Sequence, residues 1–210
     1  DRAQYDAMVE ALDTELGRLL AAVPEDTTII LAGDNGTPTE ATVDPWDPTR
    51  AKGTLYEGGV HVPFIVASPL VTDPGGTRDA LVHLTDIFST VLDLANADPG
   101  PQPIDGQSLV PLLSDPAHEG RTYLYTEGFV INGGPPYDMH DRMIRDAQYK
   151  YIRFTTFGAT HEGLFALDPD AADEGENLLV GTPEGDIAEA YARLQAELNR
   201  TEETLTYAYD

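Results

Sequence analysis

Cysteine is absent from the 210-residue sequence, which excludes disulfide bonds, zinc–thiolate sites and thiol nucleophiles within these residues. The sequence also lacks any apolar run of about 18 residues, so it predicts no transmembrane helix. Basic residues are scarce, with 12 Lys and Arg against 37 Asp and Glu, for a formal charge of −25. This balance excludes nucleic acid as a partner, because neutralising phosphates requires a basic face.

The remaining composition is that of a globular protein, with 41 % hydrophobic residues. Its acidity opposes the binding of an anion. An anionic ligand would require either a local cation that overrides the overall field or concentrated salt that screens it. The sequence shows no signal peptide at its start, and we expect it to be part of a longer protein.

Residues 1–96 alternate helical and strand patterns in an order that predicts an α/β fold. Apolar stripes predict amphipathic helices over residues 3–22 and 82–96, and apolar runs predict covered strands of a parallel sheet at 27–33 and 60–68. Two covered strands do not make a stable open sheet. We therefore expect this part to pack on a missing N-terminal half or on another chain.

The pattern changes after a Pro- and Gly-rich linker at residues 97–120. Strand-like segments at 122–126, 141–154 and 163–167, with a turn over residues 146–148, predict a small antiparallel sheet. Thr182 as N-cap and Pro183 as the first helical residue predict the start of a final helix. The sequence thus divides into residues 1–120 and residues 121–210.

The tripeptide Asp34-Asn35-Gly36 follows the most apolar strand. Ligands in open parallel sheets bind beyond the carboxyl ends of the strands. A carboxylate and an amide oxygen suit Ca²⁺ or Mg²⁺, so Asp34 and Asn35 are candidate metal ligands. The alternative is an ordinary turn, because Asp, Asn and Gly are common turn formers.

Lys52 opens the segment KGTLYEGG at residues 52–59 and is one of only two lysines in the chain. An ammonium group beside a metal can hold a sulfate or phosphate oxygen. Glu57 is expected to pair with Lys52 or to cap the turn. His140 follows a long Gly- and Pro-rich loop and is a candidate substrate contact.

Together these residues resemble the sulfatase family, which has an alkaline-phosphatase-like fold. The resemblance covers the DNG tripeptide and the segments KGTLYEGGVHVPFIV, HLTDIFSTVLDLAN, IDGQSLVPLL, RDAQYKYIRF and GLFALDPDAADEGENLL. It implies that residues 1–120 are the C-terminal portion of the catalytic α/β domain, with part of a parallel or mixed sheet and flanking helices. Residues 121–210 would be a small C-terminal subdomain made of an antiparallel sheet and a helix. One departure is His61, where many members carry arginine.

The resemblance also implies a function. Asp34 and Asn35 would bind Ca²⁺ or Mg²⁺, and Lys52 would contact the sulfate of a sulfated polysaccharide or an aryl sulfate. The formylglycine nucleophile forms within a Cys- or Ser-x-Pro-x-Arg motif, which this sequence lacks. The 210 residues alone are therefore expected to be inactive without an N-terminal half. Family members are usually exported, periplasmic or secreted, or lysosomal.

Two alternatives stay open at this point. A related phosphoester or phosphonate hydrolase would differ in the nucleophile, which would lie upstream. A non-catalytic structural or interaction module would carry the same fold without turnover.

Overall fold

A computed structural model describes residues 2–130, 137–171 and 173–205. Its helices are α1 (Arg2–Leu20), α2 (Glu57–Val60), α3 (Asp86–Leu94), α4 (Val110–Ser114) and α5 (Gly185–Thr204). Its strands are β1 (Ile29–Ala32), β2 (Phe64–Ala67), β3 (Leu124–Val130), β4 (Met139–Arg145), β5 (Tyr149–Thr156) and β6 (Ala159–Ala166). Within these ranges no helix combines the length and the apolar character needed to cross a bilayer. The predicted α/β class is confirmed.

The two strands of the first region form an antiparallel pair, with Ile30 opposite Val66. The prediction that they are parallel strands was wrong, whereas a mixed sheet, the other form that the resemblance allows, accommodates an antiparallel pair. Parallel neighbours need a crossover connection, usually a long helix. The chain between β1 and β2 contains only the single turn α2 and short 3₁₀ turns at Thr39–Ala41 and Pro48–Arg50, so it returns the strand in the opposite direction.

The apolar stripes of the two predicted amphipathic helices, α1 and α3, are mostly exposed. Helix α1 has no buried residue. Helix α3 turns Asp86 and Thr90 inward, while Phe88 and Val91 face solvent. The reason lies in the 105–110 segment, where the backbone N–H of Gln107 donates to Asp86 and that of Leu109 donates to Thr90.

The second region is the predicted antiparallel sheet, ordered β3-β4-β5-β6. The predicted turn over residues 146–148 is confirmed, because Asp146 Oδ1 accepts hydrogen bonds from the N–H groups of Gln148 and Tyr149, each at 2.8 Å. Helix α5 begins at Gly185, with Glu184 as its N-cap, rather than at Pro183 with Thr182 as its N-cap. Gly185 has a φ of 56°, and a right-handed helix does not extend back through a residue of that conformation.

The sheet has two covered faces. On the back face, Ile144, Tyr151 and Leu164 pack against Leu194 and Leu198 of α5. On the front face, Met143, Ile152 and Phe165 pack around Leu55, which lies in the chain between β1 and β2. The front face therefore carries the segment that contains Lys52.

Candidate functional site

The DNG tripeptide lies directly beyond Gly33 at the carboxyl end of β1, as predicted. Asp34 is exposed and Asn35 is half-buried. Asn35 Nδ2 donates to the backbone carbonyl of Gly36 at 3.0 Å, so its amide oxygen is the atom that could face a cation. The tripeptide thus presents one carboxylate and one amide oxygen at the end of a strand.

Two backbone hydrogen bonds join this tripeptide to the segment at residues 52–59. The N–H of Gly36 donates to the carbonyl of Gly59 at 2.9 Å, and the N–H of Lys52 donates to the carbonyl of Thr37 at 3.0 Å. The approach is close, since a Cβ on Gly36 would lie 1.9 Å from the carbonyl oxygen of Gly58. The structure therefore brings Asp34, Asn35 and Lys52 into one group of loops.

Lys52 differs from every other cationic side chain in the protein. All lysines and arginines fall within the described residues, and each one except Lys52 forms an ion pair there. Lys52 is exposed. In a chain with a formal charge of −25, an ammonium group without a carboxylate partner is available to an anion from outside.

The donor set at the tripeptide fits a hard divalent cation in kind but not in number. Ca²⁺ and Mg²⁺ take six or so oxygen ligands, of which Asp34 and Asn35 supply two. Across residues 2–130, 137–171 and 173–205, no group of three or more His, Asp and Glu residues is arranged to hold a metal. The other ligands of such an ion would come from water or from residues outside these ranges.

Glu57 does not pair with Lys52, so the first of the two expectations for it was wrong. Its carboxylate lies 3.0 Å from His61 Nδ1 and 3.2 Å from Arg145 Nη1, and it also pairs with Lys150. Burial alone would raise the pKa of Glu57, but the hydrogen bond with His61 and the charges of Lys150 and Arg145 lower it well below its usual range. The departure at His61 therefore falls at a contact with a buried carboxylate.

Lys150 and Glu174 are the residues of this site that sequence reasoning missed. Both side chains are fully buried, and Lys150 Nζ lies 2.6 Å from Glu174 Oε1. Burial raises the pKa of Glu174 despite this neighbour. A signal was present in β5, where Lys150 shares the front face with Ile152 and Phe154, because a lysine in an apolar row needs a buried partner.

His140 lies on the other side of the sheet. It is opposite Phe129 in the β3–β4 register, two residues from Arg142, which pairs with Glu202 of α5 at 2.7 Å. Its Nε2 is 2.8 Å from Glu127 Oε2. The structure does not bring His140 together with Lys52, and residues 131–136, which include most of the Gly- and Pro-rich segment before His140, lie outside the described residues. A substrate contact by His140 stays a prediction.

Family models match the chain in two overlapping parts. The model described as "Sulfatase" matches residues 1–97, and the model described as "N-sulphoglucosamine sulphohydrolase, C-terminal" matches residues 50–204. The chain is also similar to an "Ulvan-active sulfatase" of Formosa agariphila, 31 % identical over 159 residues that cover 72 % of this chain and 29 % of the relative. The chain spans about a third of the length of the curated relatives it matches.

Two solved structures share the fold. One is a protein in complex with its substrate D-glucosamine-2-N,6-O-disulfate, with a TM-score of 0.70 and 22 % identity, covering 93 % of this chain and 39 % of that protein. The other is a phosphonate monoester hydrolase from Silicibacter pomeroyi, with a TM-score of 0.66 and 24 % identity, covering 91 % and 38 %. At these identities the likeness establishes the fold alone.

Proposed function

Because this chain belongs to the sulfatase family, we propose that it supplies part of the active site of a sulfuric ester hydrolase. In this proposal Lys52 binds the sulfate group of the substrate, and Asp34 and Asn35 hold a Ca²⁺ or Mg²⁺ ion. The observation that supports the proposal best is the environment of the Lys52 side chain and backbone. Lys52 has no carboxylate partner among the described residues, and its backbone is hydrogen-bonded beside the DNG tripeptide.

The chemistry follows from charge. A compact ammonium group donates hydrogen bonds to sulfate oxygens and stabilises the negative charge that develops on them as the ester bond breaks. A divalent cation, when bound, would add positive charge at the same oxygens. Asp34 and Asn35 would orient it, and the hydrogen bond from Gly36 to Gly59 would keep them next to Lys52.

The nucleophile and the remaining ligands are proposed to come from an N-terminal half of the same protein. The exposed apolar side chains of the first region support this partner, because large apolar side chains exposed in this number are typical of an interface. They belong to α1, β1, β2 and α3, and include Met8, Leu12, Leu31, Ile65 and Phe88. Without that half, the 210 residues are expected to show no turnover.

The substrate is proposed to be a sulfate ester of a carbohydrate. The name of the Formosa agariphila relative indicates activity on ulvan, and the solved structure with the higher TM-score holds a sulfated glucosamine. Phosphonate monoester hydrolysis is a second candidate, favoured by the likeness to the Silicibacter pomeroyi enzyme. Aryl sulfates and aryl phosphonate monoesters serve as assay probes for the two chemistries.

Lys52→Ala in the complete enzyme tests the sulfate-binding role. We expect kcat/KM for an aryl sulfate to fall about a hundredfold, since a charge aimed at the developing anion contributes about 3 kcal/mol. The Tm should hardly change, because substitutions of exposed side chains shift stability by about 0.5 kcal/mol or less. Arg18→Ala is the matched control, because it removes an exposed cation that is paired with Glu15 on α1.

Three outcomes would count against the proposal. An unchanged kcat/KM in Lys52→Ala would remove Lys52 from the site, and a large loss of Tm would give it a structural role. Full metal content and activity in Asp34→Ala would remove the metal assignment. Faster turnover of the phosphonate monoester than of the aryl sulfate would favour the second candidate.

A further inference from the structure

The side chain of Lys150 reaches from β5 into the segment that carries Lys52. It is fully buried, and its Nζ donates to the backbone carbonyl of Leu55 at 3.3 Å. The same nitrogen pairs with the carboxylate of Glu57. One ammonium group from the sheet thus holds two residues that lie three and five positions after Lys52.

Glu174 completes the attachment from the chain that follows β6. Its Oε1 lies 2.6 Å from Lys150 Nζ and accepts a hydrogen bond from the N–H of Glu57 at 2.8 Å. The backbone carbonyl of Glu174 also accepts a hydrogen bond from Arg50, whose guanidinium lies 4.7 Å from the centre of the Tyr56 ring. The chain on both sides of Lys52 is therefore tied to the second region.

The attached segment is the one that reaches the DNG tripeptide. Its first residue, Lys52, donates from its backbone to Thr37, and its last residue, Gly59, accepts from Gly36. We propose that Lys150 is a positioning residue, which through Leu55 and Glu57 fixes Lys52 beside Asp34 and Asn35. The assignment of Lys52 to sulfate rests on the proposed function, but the positioning itself does not.

A purely electrostatic role makes a different prediction. Lys150 is surrounded by two buried carboxylates, and removing one partner of a buried ion pair leaves an uncompensated charge that destabilises the fold. Neutralising Glu174 together with Lys150 would relieve that cost. The double variant would still lack the ammonium group that donates to Leu55 and pairs with Glu57. It therefore distinguishes a role in charge balance from a role in positioning.

The experiment compares Lys150→Met, the double variant Lys150→Met/Glu174→Gln and the control Arg153→Met in the complete protein. Arg153 lies on the same strand but pairs with Glu202 across the back face, at 3.0 Å. The readouts are the Tm and the hydrogen exchange of the backbone amides of Gly36 and Lys52. Neither readout depends on turnover.

We expect these two amides to exchange about tenfold faster or more in both Lys150 variants, as follows from the loss of hydrogen bonds to a charged donor. The Tm should recover in the double variant while the fast exchange remains. Arg153→Met should leave both amides at wild-type rates. The double variant keeps the test available if Lys150→Met does not fold.

Recovery of both the Tm and the slow exchange in the double variant would overturn the proposal, because Lys150 would then serve only charge balance. Fast exchange in Arg153→Met would overturn it as well. A complete protein without sulfatase activity would refute the proposed function and leave the exchange result standing.

Discussion

The first region, residues 1–120, exposes many of its apolar side chains to solvent, whereas the antiparallel sheet buries them. In the first region Met8, Ile65 and Phe88 are each more than half exposed. In the sheet Tyr151 and Leu164 have no accessible surface at all. Both regions belong to one chain in one solvent, so the difference lies in whether each apolar face has a partner within the described residues.

The sheet supplies its own partner in α5, whereas the first region does not supply one. In helix α3 the side chains of Asp86 and Thr90 are buried, whereas the ring of Phe88 is exposed. An amphipathic helix that exposes its apolar stripe has its packing surface free. The first region thus leaves apolar faces uncovered by the described residues, whereas the second region forms a self-contained core.

The largest test of this difference is a pair of matched truncations in the 210-residue chain. Leu194→Ala removes a fully buried side chain from the α5 core and is expected to cost about 2–5 kcal/mol of unfolding free energy. Leu12→Ala removes the same atoms from α1, where the side chain is 61 % exposed, and should cost about 0.5 kcal/mol or less. Urea denaturation measures both, and equal costs would contradict the comparison.

A smaller effect is expected at the turn that closes the β4–β5 hairpin. Burial opposes the charged form of Asp146, but the hydrogen bonds from Arg193, at 2.7 Å, and from the turn N–H groups outweigh it and lower its pKa. Asp146→Asn should therefore cost about 1–2 kcal/mol at neutral pH, since charged hydrogen bonds are stronger than neutral ones and Arg193 is partly exposed.

The lowered pKa of Asp146 also predicts how the unfolding free energy depends on pH. A carboxyl group whose pKa is lower in the folded state stabilises the fold above its unfolded pKa of about 4, and this contribution is lost as the pH falls through the lowered value. Denaturation below pH 4 should thus show a shallower loss of stability in Asp146→Asn than in the wild type. Parallel curves for the two proteins would remove Asp146 from acid unfolding.

The smallest effect is expected for Phe88→Ser on α3. In the 210-residue chain the ring is 57 % exposed, so the unfolding free energy should change by about 0.5 kcal/mol or less. Sedimentation should show no gain in self-association, because the variant reduces an exposed apolar surface. A large loss of stability would show that Phe88 already packs within this chain.

The sequence predicted the type and order of the elements better than their burial. Periodicity reports which face of a helix is apolar, and it was correct for α5, where Leu194 and Leu198 are buried. It does not report whether a partner for that face lies in the same chain, and the apolar stripe of α1 is exposed in this one. The antiparallel direction of β2 was also not predicted, because it depends on the path of the connecting chain and not on the residues of the strand.

The candidate site was predictable only where its residues are near in sequence. The backbone contacts place Lys52 beside the DNG tripeptide, as the spacing of the motifs indicated. The buried cluster joins Glu57, Lys150 and Glu174 from three distant parts of the chain, and no local pattern encodes such a contact. A lysine among apolar neighbours was the one available sign of it.

The close approach of the backbone at Gly36 limits which substitutions can accumulate at this position. The atom that a Cβ on Gly36 would meet, at 1.9 Å, is a backbone oxygen of Gly58 and not a side chain. No substitution at residue 58 removes that oxygen, so no second mutation opens room for a first one at residue 36. In homologous sequences that keep this backbone path, we therefore expect glycine at position 36, with no second position that covaries with it.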